Sequence, residues 1–198
     1  VKIIDKIKDH KIFTDNITYL KNEEKIFTKG DTQSIINSEY VFNSKETIYL
    51  RNENKISSSS KSTLSQNNSK MYKFDQFEYS INDDLLKAKN IEVISENLLN
   101  NGFSDNAKFS DGFFRLKDGN YIAGNSEFKL KKDTLGVKEN DPRLVGASSL
   151  RKNEILEVNK GIFTSCNANN DCPAWSIEAN KIKHDAKKKQ LIYENAIL

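Results

Sequence analysis

The residues able to do chemistry in this chain are few: two acidic pairs, Glu23-Glu24 and Asp83-Asp84, two histidines, His10 and His184, and two cysteines, Cys166 and Cys172. A carboxylate pair becomes a general acid and base only where burial or a like charge drives the two pKa values apart. Both pairs sit in polar breaks between apolar stretches, where a hairpin tip would expose them, so they are expected to be solvated turn residues. His10, in Asp9-His10-Lys11, and His184, in Lys183-His184-Asp185, are flanked by charges and are expected on the surface. Two histidines and two cysteines so dispersed do not form a zinc set. There is no phosphate-cradling glycine loop, GxSxG elbow or HExxH helix. The reading is of a protein that is not an enzyme and takes no metal or cofactor. Cys166 and Cys172 are separated by Asn-rich sequence and could approach to the Cα separation of about 5.5 Å that a disulfide needs. They read as a local disulfide of an oxidising compartment, or as two unrelated surface thiols.

The elements that carry these residues announce themselves by repetition. Tyr19, Tyr49 and Tyr79 each open nearly the same phrase, TYLKNEEKIF, IYLRNENKIS and EYSINDDLLK, at one thirty-residue spacing. Asn22, Asn52 and Asn82 align within it, then Glu23, Glu53 and Asp83, then Ile26, Ile56 and Leu86. Asn and Asp bond neighbouring backbone and tolerate left-handed dihedrals, so each polar break predicts a hairpin tip. Fixed-period similarity means stacked units that cannot bury an apolar face alone. Tyr40 with Phe42, and Ile48 with Leu50, alternate as strand faces do. Ser57 to Ser69 is expected to be a frayed strand end or loop. Asp84 to Asn100 has some helical spacing, but the repeat alignment and the Ile91, Val93 alternation favour strand. From Gly102 onward, turn signals such as Asp118-Gly119-Asn120 divide short apolar runs into a meander.

Hydrophobic residues make up 36% of the 198 and charged residues 30%, enough apolar side chains to fold with few to spare. The net charge of +3 is evenly mixed and gives no single-sign field for nucleic acid. No run approaches the roughly 18 apolar residues of a membrane-spanning helix.

GIFTSC, a short loop, and CPAWSIEANKIKHDAKKKQLIYENAIL resemble the end of the periplasmic domain of the LptD family of lipopolysaccharide-assembly outer-membrane proteins. The matching places are Phe163, Thr164, Cys166, Trp175, Asp185 and Leu191 to Leu198. The tyrosine phrase likewise looks like the OstA-type repeats of LptA, LptC and LptD proteins. The resemblance implies an all-β fold: an open β-jellyroll of two antiparallel sheets built from hairpin repeats, OstA/LptA-like. Residues 1–198 would be one periplasmic domain of an outer-membrane protein whose barrel lies outside this chain. It further implies an apolar trough that carries the lipid A acyl chains of lipopolysaccharide. The trough candidates are Tyr40, Phe42, Ile48, Leu50, Phe74, Tyr79, Ile91, Val93, Phe114, Leu116, Ile122, Phe128, Phe163, Trp175 and Ile177. The first strand, around Ile3, Ile4 and Ile7, would pair edge to edge with an LptA-like bridge, and an LptE-like lipoprotein would be met through the barrel. In some family members cysteines of this domain pair with barrel cysteines, whereas here the expectation is the local Cys166–Cys172 bridge. The rivals are a free-standing LptA- or LptC-like bridge, a β-repeat adhesion domain with a dry core, and, less favoured, a glycan-active β-solenoid enzyme.

Overall fold

The structure, a computed structural model, describes residues 1–66, 70–95, 106–129, 141–166, 175–185, 187–188 and 190–198. All three tyrosine phrases form hairpin tips. Residues 21–24 join β2 (His10–Leu20) to β3 (Lys25–Ile36), residues 51–54 join β5 (Ile48–Leu50) to β6 (Lys55–Ser58), and residues 81–84 join β9 (Gln76–Ser80) to β10 (Leu85–Ser95). In each tip the fourth residue turns left-handed, with φ of 49° at Glu24, 52° at Asn54 and 51° at Asp84. Its N–H closes the turn onto the carbonyl of the first residue, at 3.3, 3.3 and 3.4 Å. The tyrosine of each phrase donates its hydroxyl to the side chain of that same fourth residue: Tyr19 to Glu24 at 3.0 Å, Tyr49 to Asn54 at 3.3 Å, Tyr79 to Asp84 at 2.9 Å. The tips also stack. Arg51 N–H bonds the Glu24 carbonyl at 2.9 Å and Ile81 N–H the Asn54 carbonyl at 3.0 Å.

That stacking aligns one row of side chains across the sheet. Tyr19 faces Ile26, which faces Tyr49, then Ile56, Tyr79 and Leu86 in successive strands. The row continues through Phe114 of β11 (Asn106–Arg115) to Tyr121 of β12 (Tyr121–Lys129). The sheet then proceeds as a plain antiparallel meander through β13 (Arg143–Lys152), β14 (Ile155–Thr164), β15 (Ile177–Asp185) and β16 (Gln190–Ile197). A second set of pairings runs beside the first. β1 (Lys2–Asp5) pairs the start of β2; the end of β3 pairs β4 (Tyr40–Ser44), then β7 (Ser62–Gln66) and β8 (Lys70–Phe74) follow, and β8 pairs the end of β10. β4 and β5 are therefore halves of one bent strand, as are β7 with β6 and β8 with β9. The whole chain is a meander of long strands creased across the middle into two leaves. Contacts between rings of opposite leaves show that the leaves face one another: Phe42 and Phe77 lie 4.9 Å apart, Tyr72 and Phe114 6.2 Å.

The crease has a backbone cause. Five of the long strands turn left-handed there, at Gly30 (φ 91°), Asn90 (51°), Asn125 (42°), Lys160 (49°) and Asn195 (53°). A left-handed residue breaks the two-residue alternation, so inward positions shift from Leu86 and Ala88 to Ile91 in β10, and from Leu156 and Val158 to Gly161 and Phe163 in β14. At Gly30 the φ of 91° would strain any residue with a Cβ, which would also crowd the Asp15 side chain. Backbone groups released by the crease need partners, and buried hydroxyls gather there. Thr14 and Thr32 share a bond of 2.8 Å, Thr32 donates to Thr28 at 2.8 Å, and Thr28 Oγ1 accepts the Thr47 N–H at 2.9 Å.

Three expectations are corrected. The serine-rich stretch is not a frayed end: Ser57, Ser58 and Ser62–Gln66 are strand, and Ser58 and Ser62 are buried at the crease because a hydroxyl is what that bend needs. Residues 67–69 lie outside the described residues. The acidic pairs are not uniformly solvated, since Asp84 is buried beneath the Tyr79 hydroxyl and also accepts Lys117 N–H at 2.8 Å. His10 is not a surface residue; it is 1% exposed, on the inward face with Ile12 and Thr14.

Tyr79→Phe leaves the Asp84 carboxylate buried and short of a donor, and is expected to lower the unfolding free energy by about 1–3 kcal/mol. Tyr19→Phe, at an exposed tip, should change it by less than about 0.5 kcal/mol. Urea denaturation of both variants checks the ranking.

Candidate functional site

Apolar side chains fill the interior between the leaves from one end of the meander to the other. Phe42, Phe74, Phe77 and Tyr79 form a continuous ring cluster at centroid separations of 4.9 to 5.4 Å, and Phe109, Phe114, Tyr121 and Phe128 form a second at 5.2 to 5.6 Å. Burial pushes the Tyr72 and Tyr49 phenols up to about 12, so both stay neutral. The Tyr79 phenol is raised further, first by burial and then by the Asp84 charge.

The two long margins of this interior differ in kind. The crease is continuous backbone. The opposite margin, the mouth, is spanned in the first half of the chain by side chains. Arg51, from the second tip, bonds Asp5 of the other leaf at 2.7 Å and Glu24 of its own leaf at 2.9 Å. Burial raises the Asp5 carboxyl, but the Arg51 hydrogen bond, aided by N–H groups of Lys8 and Ile7, outweighs it and holds the group below its usual range. Behind this ion pair, His10 meets the edge of Tyr49 at 4.3 Å, and Tyr40 that of Tyr79 at 5.9 Å. Gln66 donates to the Leu116 carbonyl at 3.3 Å. Neither His10 nitrogen has a hydrogen-bond partner, and burial lowers its pKa to about 4 against the opposing pull of Asp5 and Asp9. Residues 96–105, 130–140 and 167–174 lie outside the described residues, so the mouth is characterised in the first half of the chain.

The trough candidates divide by strand parity. Tyr40, Phe42, Phe74, Tyr79, Ile91, Phe114, Leu116, Phe128 and Phe163 are buried between the leaves, and Val93 packs against them half-buried. Ile48 and Leu50 do not point inward. Tyr49 does, because the tyrosine row fixes its face, and its two neighbours must then lie outside. Ile122 is also corrected: it is 54% exposed on the outer face, in register with Phe113 and Leu150, two more exposed apolar side chains. Trp175 is 39% exposed and rests 5.9 Å from Phe163, while half-buried Ile177 pairs with Phe163 across the strands. At the first edge, Ile3 packs on the core and Ile4 is exposed in β1, whereas Ile7 lies in the following turn, 84% exposed. β1 pairs β2 on one side, and among the described residues no strand occupies its other side. Cys172, and with it the expected Cys166–Cys172 bridge, lies outside the described residues. Cys166 is half-buried, its Sγ 3.8 Å from the Trp175 carbonyl.

Arg51 was not singled out by the sequence, and His10 was expected on the surface. The His10, Ile12, Thr14 alternation places the histidine inside, and Arg51 occupies the first position of a tip, where Lys21 and Ile81 stand in the other two copies. Among the described residues no group of acidic, histidine or cysteine side chains could hold a metal ion, and no helix is long and apolar enough to cross a membrane.

No protein-family model matches the chain, and no curated protein does. Among solved structures, the chain is similar in fold to the crystal structure of LptH, the LptA homologous periplasmic component of the conserved lipopolysaccharide transport device from Pseudomonas aeruginosa. The TM-score is 0.51 and the identity 11%, over 61% of this chain and 85% of that one. The fold is thus a β-jellyroll of hairpin repeats, of the kind seen in LptA-like proteins.

The His10 environment predicts a pH dependence. Its folded pKa of about 4 lies below the unfolded value of 6.5, so the unfolded chain takes up the proton first and stability falls as pH drops from 6.5 towards 4. Between pH 7 and pH 5 the loss from His10 should be about 2 kcal/mol. His184, lowered to about 4 chiefly by burial, adds a loss of the same sign. Urea midpoints measured across that interval should fall steeply for the native chain and about half as steeply for His10→Phe.

Proposed function

We propose that the chain is a lipid-conducting module of lipopolysaccharide transport, in which acyl chains lie between the two leaves. The observation that supports this reading best is the unequal pair of margins. A continuous crease acts as a spine, and the mouth in the described half is held by one ion-pair cluster, ring edges and a side-chain hydrogen bond. Side-chain contacts can be exchanged for a guest without breaking the sheet. Each buried methylene of an acyl chain contributes about 0.8 kcal/mol, so a chain of roughly ten carbons offsets the loss of several contacts between leaves. The fold likeness to a periplasmic component of lipopolysaccharide transport points the same way. The chain has no catalytic role in this reading.

Within that function we place it as the periplasmic domain of an LptD-like outer-membrane protein, on the Phe163, Thr164, Cys166 and Trp175 pattern. Pairing with an LptA-like bridge would use the unpaired side of β1, where an added strand would extend the main-chain ladder. An LptE-like lipoprotein would be a partner of the barrel. A free-standing periplasmic bridge fits the same fold. The close packing of His10, Tyr40 and Tyr49 at the mouth favours a second reading, a dry-cored β-repeat that binds proteins through its edges alone.

Photo-crosslinking residues at Phe42, Phe74 or Phe128, in cells making the full protein, should give lipopolysaccharide adducts, while the outward neighbour Lys73 should give none. Folded protein with no adduct at any of the three inward positions would support the dry-cored reading instead.

A further inference from the structure

A groove of about 980 Å³ runs along the crease of the first half, lined mainly by outward side chains and reaching the buried Thr14, Thr32, Ser62 and Phe74. Two parallel rows of side chains build it, one residue per strand. The row Phe13, Gln33, Asn43, Thr63, Lys73, Glu92 is fixed by strand register across six neighbouring strands. The second row follows the crease itself: Asp15, Asp31, Lys45, Lys61, Asp75, Asn90. We propose that this groove binds a linear oligosaccharide, neutral overall, lying across the strands.

Three features select that ligand class. Neighbouring strands are about 4.8 Å apart, close to the advance of one sugar residue in an extended glycan, so each strand can present one polar group to each ring. The polar groups are mostly planar amides and carboxylates already held in place, as hydroxyl recognition requires. Gln33 donates to Asn43 at 3.1 Å, Asn90 donates to Asp75 at 2.8 Å, and Lys73 pairs with Glu92 at 3.6 Å. Gln33 keeps its carbonyl and Asn43 its amide to offer a ligand. Phe13, at one end, supplies an aromatic face for the C–H groups of a sugar, its ring oriented by the Lys2 ammonium at 5.3 Å. Charge argues against a polyanion: three lysines line the groove against four carboxylates, and Lys45 is ion-paired with Asp31.

The polar side chains of both rows face outward or line the crease, so the test needs no lipid. The lipid-free chain would be screened on an array of linear glycans that also carries heparin fragments. Binding would then be mapped by amide chemical shifts, with N-acetylglucosamine tetramer and cellotetraose as the starting probes. The expected result is saturable binding of at least one neutral glycan, shifts confined to Gln33, Asn43, Thr63 and their neighbours, and at least tenfold weaker binding for the Gln33→Ala, Asn43→Ala double variant. Thr63→Ala serves if that variant fails to melt cooperatively. No neutral glycan bound on the array, shifts elsewhere on the surface, or binding to heparin fragments alone that salt abolishes would each overturn the proposal.

Discussion

A sheet with one apolar face cannot bury that face by itself, and everything else in this structure follows from how the chain meets that constraint. It folds the sheet on itself. The left-handed residues at Gly30, Asn90, Asn125, Lys160 and Asn195 place the bend in five of the long strands, and the strands between them bend with them. Burial of the two facing layers then drives the fold, while threonine and serine hydroxyls satisfy the backbone where the ladder is broken. A break without those hydroxyls would leave unpaired polar groups in the interior. A sheet without the break would leave Phe42, Phe77 and Phe114 in water.

The same solution makes the molecule asymmetric. One margin of the interior is covalent chain and the other, in the described half, is side chains. Arg51 is central on that side, since one guanidinium engages carboxylates from both leaves, and charge-assisted hydrogen bonds shared in this way are stronger than a chance surface pair. His10 and Tyr49 close the space behind it through ring contact. A buried imidazole with neither nitrogen bonded is costly, and it is held there by the packing of its own strand, whose inward face also carries Ile12 and Thr14.

The tips were legible in the sequence because three copies of one phrase expose every constraint at once: the polar break, the left-handed fourth residue, and the tyrosine whose hydroxyl returns to it. The inward face of most of the interior followed from alternation. What alternation misses is the crease, because a left-handed residue shifts the inward positions by one, and its residues look like ordinary surface Asn and Lys. Their spacing carries a signal all the same: Asn90, Asn125, Lys160 and Asn195 are evenly spaced along the chain. Ile48 and Leu50 were misplaced because the strand was phased on them and not on Tyr49. Ile122 was misplaced because a meander with an exposed apolar row on its outer face looks, in sequence, like one with two buried faces. The groove beside the crease was not legible, since its two rows come from six strands and no local stretch contains them.

The account turns on whether the mouth parts while the crease stays intact. Spin labels at Ser38 and Asp83, which flank the mouth on opposite leaves, would report its width by pulsed electron–electron distances, with Cys166 and Cys172 replaced by serine. Addition of lipopolysaccharide should lengthen that distance, and a second pair spaced along the crease, at Asp15 and Asp75, should not change. A mouth distance that is unchanged at saturating lipopolysaccharide, or a change at the crease instead, would contradict the account.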